Sequence, residues 1–530
     1  MQNKEVKEIK EIKEVKSQIK LQKPPTIIDS FEKKIKSNIL SFSLLLDFFI
    51  LLIKILVGQY GYSGEHDPPK YGDFEAQRHW MELTLYLPIE DWYTNSKLNK
   101  EKYWPLDYPP MSAYHSYIFG KFLNFLIPES VEFKYSHGYE TKVFKIIMRL
   151  FSLLSDYIIF HIAVHFFCYK IFISDKINKN KEPSYWRYFI INLIILLNPL
   201  MIIIDHGHFQ FNNVMHGFFV FAVYFLLGDN YFLSIIFLSF CVNFKQMGLY
   251  YAIIFPLYVL KKLFTLQEKS LKKYLISLLY IFFYGGGFAL LVNGVIYWPW
   301  IKSNKLKDVF SRIFPVKRGI FEDKVATFWC VVNIFIKLKQ FGNNILIKIS
   351  FILTVLGCSV PIYAIFKANK MTKKISILSF FIVALSFFLF SYHVHEKTII
   401  VPFLAFLLGL PYMKNILPSF TLIAMFSLFP LLKRENQIVP YYLINFIFYL
   451  VIKLTPKKQK ALNIFLGIEI FIFVIMIGYH IIEYAIPPPE KYPWFYPMIN
   501  AFFCFCFFFG VFLYSNYSLI KMIYKEKKNN

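Results

Sequence analysis

Residues 39–81, ILSFSLLLDFFILLIKILVGQYGYSGEHDPPKYGDFEAQRHWM, decide the fold. The first part, 39–57, is apolar and long enough as a helix to cross about 30 Å of hydrocarbon. The second part, Gly61–Met81, packs Glu65, His66, Asp67, Asp73, Glu75, Arg78 and His79 into one short polar loop beside that run. Ionisable groups at the edge of a bilayer are expensive to keep, so this density calls for a functional reason.

The rest of the chain repeats the first motif. Of 530 residues, 56% are hydrophobic and 62 are Phe, an excess that must face lipid. Membrane-length apolar runs recur to the C-terminus, so the expected fold is an all-α polytopic membrane protein. The net charge of +25 comes from Lys clustered beside apolar runs instead of on one soluble face. That pattern fits positive-inside topology and headgroup contact, with membrane lipids as partners and no nucleic acid. Cys168, Cys241, Cys330, Cys358, Cys504 and Cys506 form no CxxC pair and read as free thiols, with neither a disulfide framework nor a zinc site.

Charge and hydropathy divide the chain into units. Residues 1–37 form a cytosolic tail containing KEVKEIKEIKEVK at 4–16, whose three-residue period drifts around a helix and favours a solvated or loosely helical segment. No signal-peptide pattern precedes the first span, which reads as a retained anchor. Spans are expected near 39–57, 143–171, 188–205, 213–228, 231–244, 246–261, 274–297, 346–366, 375–391, 398–412, 414–431, 440–453, 461–484 and 496–520, about 14 in all. By parity, loops 58–142 and 298–345 lie on the far, luminal side, each with an interfacial helix. Residues 38–397 make a membrane module that carries the two long loops, 398–520 the C-terminal spans and 521–530 a second cytosolic tail. Charged groups gather in the loops at one face and no internal repeat is visible, which argues against a transporter.

Several loop clusters can carry chemistry. Asp73 is expected at the N-cap of a helix over Phe74–Leu87 that Pro88 ends, a position that keeps the carboxylate ionised and also suits a base. In YWPLDYPPMSAYHSYIFG, 103–120, Asp107 and His115 are candidate ligand contacts, although Tyr and Trp belts at an interface need no function. The turn DHGHFQFNN, 205–213, places Asp205, His206 and His208 close together, open to sugar binding, to plain loop polarity or, less favourably, to a metal. In YHVHEK, 392–397, His393, His395, Glu396 and Lys397 form a far-side cluster able to hold a phosphate, or a self-satisfied polar plug. The basic loop 298–345 adds Arg312, Lys317 and Arg318, which either meet lipid headgroups or hold a phosphorylated ligand.

The segments SGEHDPPKYGDFEAQRHWMELT, PIEDWY, LDYPPMSAYHSY, DHGHFQFN, NFKQMGLYYA, RIFPVKRGIFEDKVATFWC and HVHEKTI, in that order, closely resemble the endoplasmic-reticulum glucosyltransferases that use dolichyl-phosphate-glucose. These are membrane enzymes of the GT-C class. The resemblance covers about 58–397, with hydropathy alone beyond. GDFEAQRHW with LDYPPMSAYHS is similar to the enzymes that add the first glucose, whereas those adding the second tend toward a TDFEVHRNW-like version.

The resemblance implies an inverting α-1,3 transfer of glucose to Man9GlcNAc2-PP-dolichol, with the active site on the luminal face and neither cofactor nor metal. The family's acidic residue in GDFEAQR is its general base, which here is Asp73. Glu75, Arg78, His79, Asp107, His115 and His208 then become supporting or substrate contacts, and His393, His395, Lys397 and Arg318 candidates for the donor phosphate. A phosphate leaving group is already weakly basic, so cations suffice where a glycosidase needs a second carboxyl. His66 and Lys70 depart from the family's pattern, which leaves the acceptor contacts open.

Overall fold

The computed structural model describes residues 27–266, 271–314, 319–320, 324–453 and 462–528. The 4–16 repeat, Lys317 and Arg318 lie outside the described residues. Every regular element among the described residues is a helix. The helices used below are α1 (Ile27–Ser37), α2 (Ile39–Val57), α3 (Asp73–Tyr86), α4 (Pro110–Leu126) and α5 (Lys142–Ile177).

Nine helices among the described residues are long and apolar enough to cross a membrane, or ten if the bent pair Tyr185–Leu196 and Pro199–Phe209 is one span. Each of the fourteen expected segments is helical, but Asn212–Leu226, Tyr231–Phe244, Ile400–Leu408 and Ile438–Lys453 are too short to establish that count by length. Ile400–Leu408 is buried at every position, so protein and not lipid sets its length. Lys373–Phe390, with 83% of its apolar stretch buried, is central, whereas Leu271–Ile296, at 6%, is peripheral.

Local chemistry sets many helix starts. Thr141 caps α5 by accepting from the Phe144 amide at 3.2 Å, and Thr372, Ser184 and Asn230 do the same for their own helices. Pro110 opens α4 at a position where its missing N–H costs nothing. From α1, Glu32 reaches the Tyr185 amide at 2.6 Å and so caps a helix it does not belong to.

The long loops fold into a compact layer at one end of the bundle. Ala76, Trp80, Trp92, Tyr93, Leu106, Trp300 and Ile313 form a second apolar core there. It joins α3 and α4 to the short helices Trp298–Lys302 and Leu306–Ile313. Trp104 and Tyr108 pack against this core and stay partly exposed. Trp80 Nε1 bonds the Trp104 carbonyl at 3.2 Å, and Tyr93 bonds the Tyr108 carbonyl at 2.7 Å. The apolar piece of the second loop forms a short helix, Phe328–Phe335, tied down by Trp329 Nε1 to the Phe390 carbonyl at 2.8 Å.

Charge is not confined to the loops, contrary to expectation. Lys54 of α2 is buried against Asp156 of α5 and lies 2.7 Å from His161 Nε2. His161 continues to Asp47 at 2.7 Å, and Asp47 to His165 at 3.1 Å. On the other side, Asp156 takes His206 Nε2 at 2.8 Å. A buried charge is tolerable only when paired, and here the pairing fastens the first two spans to the 203–209 turn. Removing one partner strands the other, at a cost of about 3–5 kcal/mol. Asp156→Ala is therefore expected to lower the thermal unfolding midpoint in detergent sharply, with Lys54→Met/Asp156→Leu recovering much of the loss. An unchanged midpoint for Asp156→Ala contradicts this account.

Candidate active site

Chain connections meet around Asp73, and small residues permit the meeting. A Cβ on Gly61 would lie 2.3 Å from the Glu435 carbonyl oxygen, and one on Gly72 would lie 2.4 Å from Ser63. With only hydrogen at both places, the strand of chain at 61–63 is clamped between neighbours. Gln437 Nε2 donates to the Gly61 carbonyl, and the Ser63 amide donates to the His208 carbonyl at 3.0 Å.

Asp73 is the first residue of α3, one position later in the capping scheme than expected. The N-cap is Gly72, which has no side chain to offer. Ser63 compensates from outside, its Oγ accepting from the Asp73 amide at 3.0 Å. The Asp73 carboxylate is thus released from capping. Its Oδ2 accepts from Lys397 Nζ at 2.5 Å, lies 2.8 Å from His208 Nε2, and takes a short hydrogen bond from Gln210 Nε2. The side chain keeps 23% of its surface exposed and Lys397 keeps 17%, so the cluster is reachable.

The groups behind this cluster orient it. His208 Nδ1 faces Glu435 at 2.7 and 2.8 Å, so the imidazole is gripped by a carboxylate on each side. Lys245 Nζ donates to Gln210 Oε1 at 2.8 Å and to Asn212 Oδ1 at 2.6 Å. That turns the Gln210 oxygen toward Lys245 and its amide nitrogen toward Asp73. The turn itself is held by Asp205, which accepts from the Asn213 amide at 2.6 Å and Asn212 Nδ2 at 2.7 Å, a cap for the following helix. Phe209, at φ 83°, pays for the sharp reversal by packing its ring against Phe74 at 4.7 Å.

Electrostatics follow the geometry. Burial alone raises the Asp73 carboxyl, but the Lys397 charge and the His208 hydrogen bond overcome it and hold the group well below the usual carboxylate range. Lys397 is raised, its burial outweighed by Asp73 and Glu396. Lys245 is pushed down to about 7 by burial and by the nearby Lys397 charge. His395 is pushed down to about 3 by burial and then by Lys397, which keeps it neutral at physiological pH.

The other sequence candidates fall into separate places. Arg78 is fully buried, bidentate to Glu75 at 2.6 Å and bonded to Glu82 at 2.8 Å and Ser136 at 2.6 Å. Glu75 also accepts from Tyr103 at 2.8 Å, and His79 turns toward Glu82 at 3.3 Å. These three residues, expected as supporting or substrate contacts, form one network that ties α3 to Tyr103, Ser130 and Ser136. Asp205, His206 and His208 diverge to different partners and do not converge as a metal site would. Arg312 is buried, with Nη2 on the Asn99 carbonyl at 3.4 Å, and serves loop packing. His115 bonds Ser155 at 2.9 Å and lines a small cavity with Lys245, Gln77 and Tyr108. Asp107 acts on the charges of both Lys245 and Arg312. His393 donates from Nδ1 to the Gly319 carbonyl at 2.8 Å and so ties its turn to the residue following Arg318.

Among the described residues, His79, Glu82 and His137 place ligand atoms within 4.8 Å of one another. Glu82 is already committed to Arg78, Ser136 and the Lys134 amide. The sequence reading missed Glu435, Lys245 and Ser63. Glu435 and Lys245 each stand at the loop end of a span, a placement that parity could have flagged.

The family described as the ALG6, ALG8 glycosyltransferase family matches residues 50–515. The chain is 37% identical over 493 residues to a protein of Arabidopsis thaliana named probable dolichyl pyrophosphate Man9GlcNAc2 alpha-1,3-glucosyltransferase, covering 90% of this chain and 89% of that one. It is 34% identical to each of the proteins named dolichyl pyrophosphate Man9GlcNAc2 alpha-1,3-glucosyltransferase of Saccharomyces cerevisiae and Mus musculus. The coverage is 90% of this chain and 91% of the first, and 85% and 91% for the second.

The depressed Asp73 carboxyl gives a signed pH prediction. Its unfolded value is about 3.9, and a folded value below that adds stability that is full above about pH 5 and is lost as pH falls through the folded value. Asp73→Asn is expected to flatten the acid limb of thermal stability between about pH 5 and 3. An acid limb identical to that of the unsubstituted protein contradicts the ion cluster.

Proposed function

The chain belongs to the ALG6, ALG8 glycosyltransferase family, and on that premise we propose that it transfers the first glucose from dolichyl-phosphate-glucose to Man9GlcNAc2-PP-dolichol. The linkage formed is α-1,3, with inversion at the glucose, on the luminal face of the endoplasmic-reticulum membrane. The observation that carries the mechanism is the Asp73 carboxylate held between Lys397 and His208 at a reachable edge of the loop layer.

The acceptor mannose hydroxyl takes its place at Asp73 and attacks glucose C1 from the face opposite the phosphate. The C1–O bond to phosphate breaks and its electron pair leaves on dolichyl phosphate. The hydroxyl proton goes to Asp73. His208, backed by Glu435, and Gln210, backed by Lys245, hold the carboxylate in register. Such positioning governs how well a base meets its proton.

Lys397 explains how so depressed a carboxyl can act as a base. While it sits on Asp73, the carboxylate is stabilised and weakly basic. A donor phosphate offers Lys397 a second anion, and each step of the cation toward it raises the basicity of Asp73. The donor thereby activates the base that its own transfer needs. His395, neutral beside the cation, contributes hydrogen bonding without further charge. His393, and by family resemblance Arg318, are the further candidates for the donor phosphate, and Asp107 and His115 lie toward the Lys245 side.

With purified protein and both lipid substrates, Asp73→Asn is expected to reduce glucosyl transfer by about 10²–10⁴-fold. Glu435→Gln is expected to lose less, since it acts through His208. Substantial residual transfer by Asp73→Asn contradicts the assignment of the base. Man9GlcNAc2 lipid is expected to be glucosylated in preference to Glc1Man9GlcNAc2 lipid, and the reverse preference identifies a second-glucose enzyme.

A further inference from the structure

A basic groove of about 450 Å³ opens between the end of α2 and the first half of α5, behind the 205–210 turn. Lys142, Lys145 and Arg149 fall three and four residues apart and so share one face of α5 along the groove. Ile55, Ile146 and Leu150 supply the apolar side of the groove, and all three are exposed on helices of membrane-crossing length.

Arg149 is the unusual member. It is 7% exposed, and the nearby carboxylates of Glu65 and Glu435 are in contact with Lys145 and His208. Its Nη2 donates to the Gly207 carbonyl at 2.7 Å, but Nε and Nη1 are buried without a hydrogen-bond partner. A buried guanidinium with unmet donors is costly, and the Nη1 amino group, which points away from Nε–H, is left for an incoming anion. A guanidinium matches phosphate oxygens in geometry as well as charge. Lys145 is partly answered by Glu65 at 3.1 Å, and Lys142 is exposed in the first turn of α5. The other buried cation here, Lys54, is already neutralised by Asp156.

We propose that this groove binds the phosphate head of a membrane lipid. Arg149 donates to the phosphate from Nη1, Lys142 and Lys145 add charge, and the lipid chain runs out along Ile55, Ile146 and Leu150. The site is distinct from the Asp73 cluster, because the Phe209 ring lies under the Arg149 guanidinium at 5.4 Å and against Phe74 on its other flank. It touches the catalytic turn from behind, since Gly207 precedes His208. The inference stands on the groove alone and does not depend on which sugar is transferred.

The test uses the full-length protein, delipidated in detergent and titrated with phosphatidic acid, with bound lipid read by native mass spectrometry. One phosphatidic acid is expected to bind the unsubstituted protein. Arg149→Gln is expected to weaken that binding at least tenfold. Because Arg149 also holds Gly207, Lys142→Glu combined with Lys145→Gln serves as the second variant. Its acidic residue suits an exposed first turn, so the unfolding midpoint is expected to hold while affinity falls several-fold. Inorganic phosphate, titrated separately, is expected to bind far more weakly. Equal lipid binding by the unsubstituted protein and the folded Lys142→Glu/Lys145→Gln variant overturns the proposal. An inorganic phosphate affinity matching that of phosphatidic acid overturns it as well.

Discussion

The contact between Lys397 and the Asp73 carboxylate constrains much of the loop layer. Two opposite charges at 2.5 Å with only part of their surface exposed need supporting hydrogen bonds, or the desolvation outweighs the attraction. The support comes from far apart in the chain: Ser63, His208 with Glu435, and Gln210 with Lys245. They come from four separate connections between helices, with His208 and Gln210 sharing one. Bringing them together dictates which span ends must be adjacent, and hence the order of helices behind them.

A second consequence concerns how the layer is kept rigid. Arg78 with its two glutamates stiffens α3 from within, and the Trp80–Trp92–Trp300 core stiffens it from outside. Asp73 is therefore presented from an element whose own polar groups are satisfied. The buried Lys54–Asp156–His206 path does the same for the 203–209 turn from the membrane side. Polar groups within spans here fasten helices and aim a turn, a use that needs no transport path.

What the sequence makes legible follows from the range of each interaction. Apolar runs and turn residues act locally, so the helical segments, α3 and the short helix at Phe328–Phe335 could be read within a few residues. The shift of Asp73 from N-cap to first turn could not, because the surrogate cap is Ser63, ten residues away. Glu435 is more remote still, 227 residues from His208, and sits in a polar connection whose composition looks ordinary. Arg78 and Glu75 looked functional because charged residues near a bilayer usually are. That they pair with each other, as supporting groups would, is visible only in the folded chain.

The central claim is that Lys397 moves from base to donor. It is tested most directly by a structure of the protein bound to a non-transferable dolichyl-phosphate-glucose analogue. The account predicts Lys397 Nζ within hydrogen-bonding distance of a phosphate oxygen and withdrawn from Asp73, with His208 and Gln210 still on the carboxylate. A bound donor whose phosphate is held elsewhere, with Lys397 still on Asp73, contradicts it.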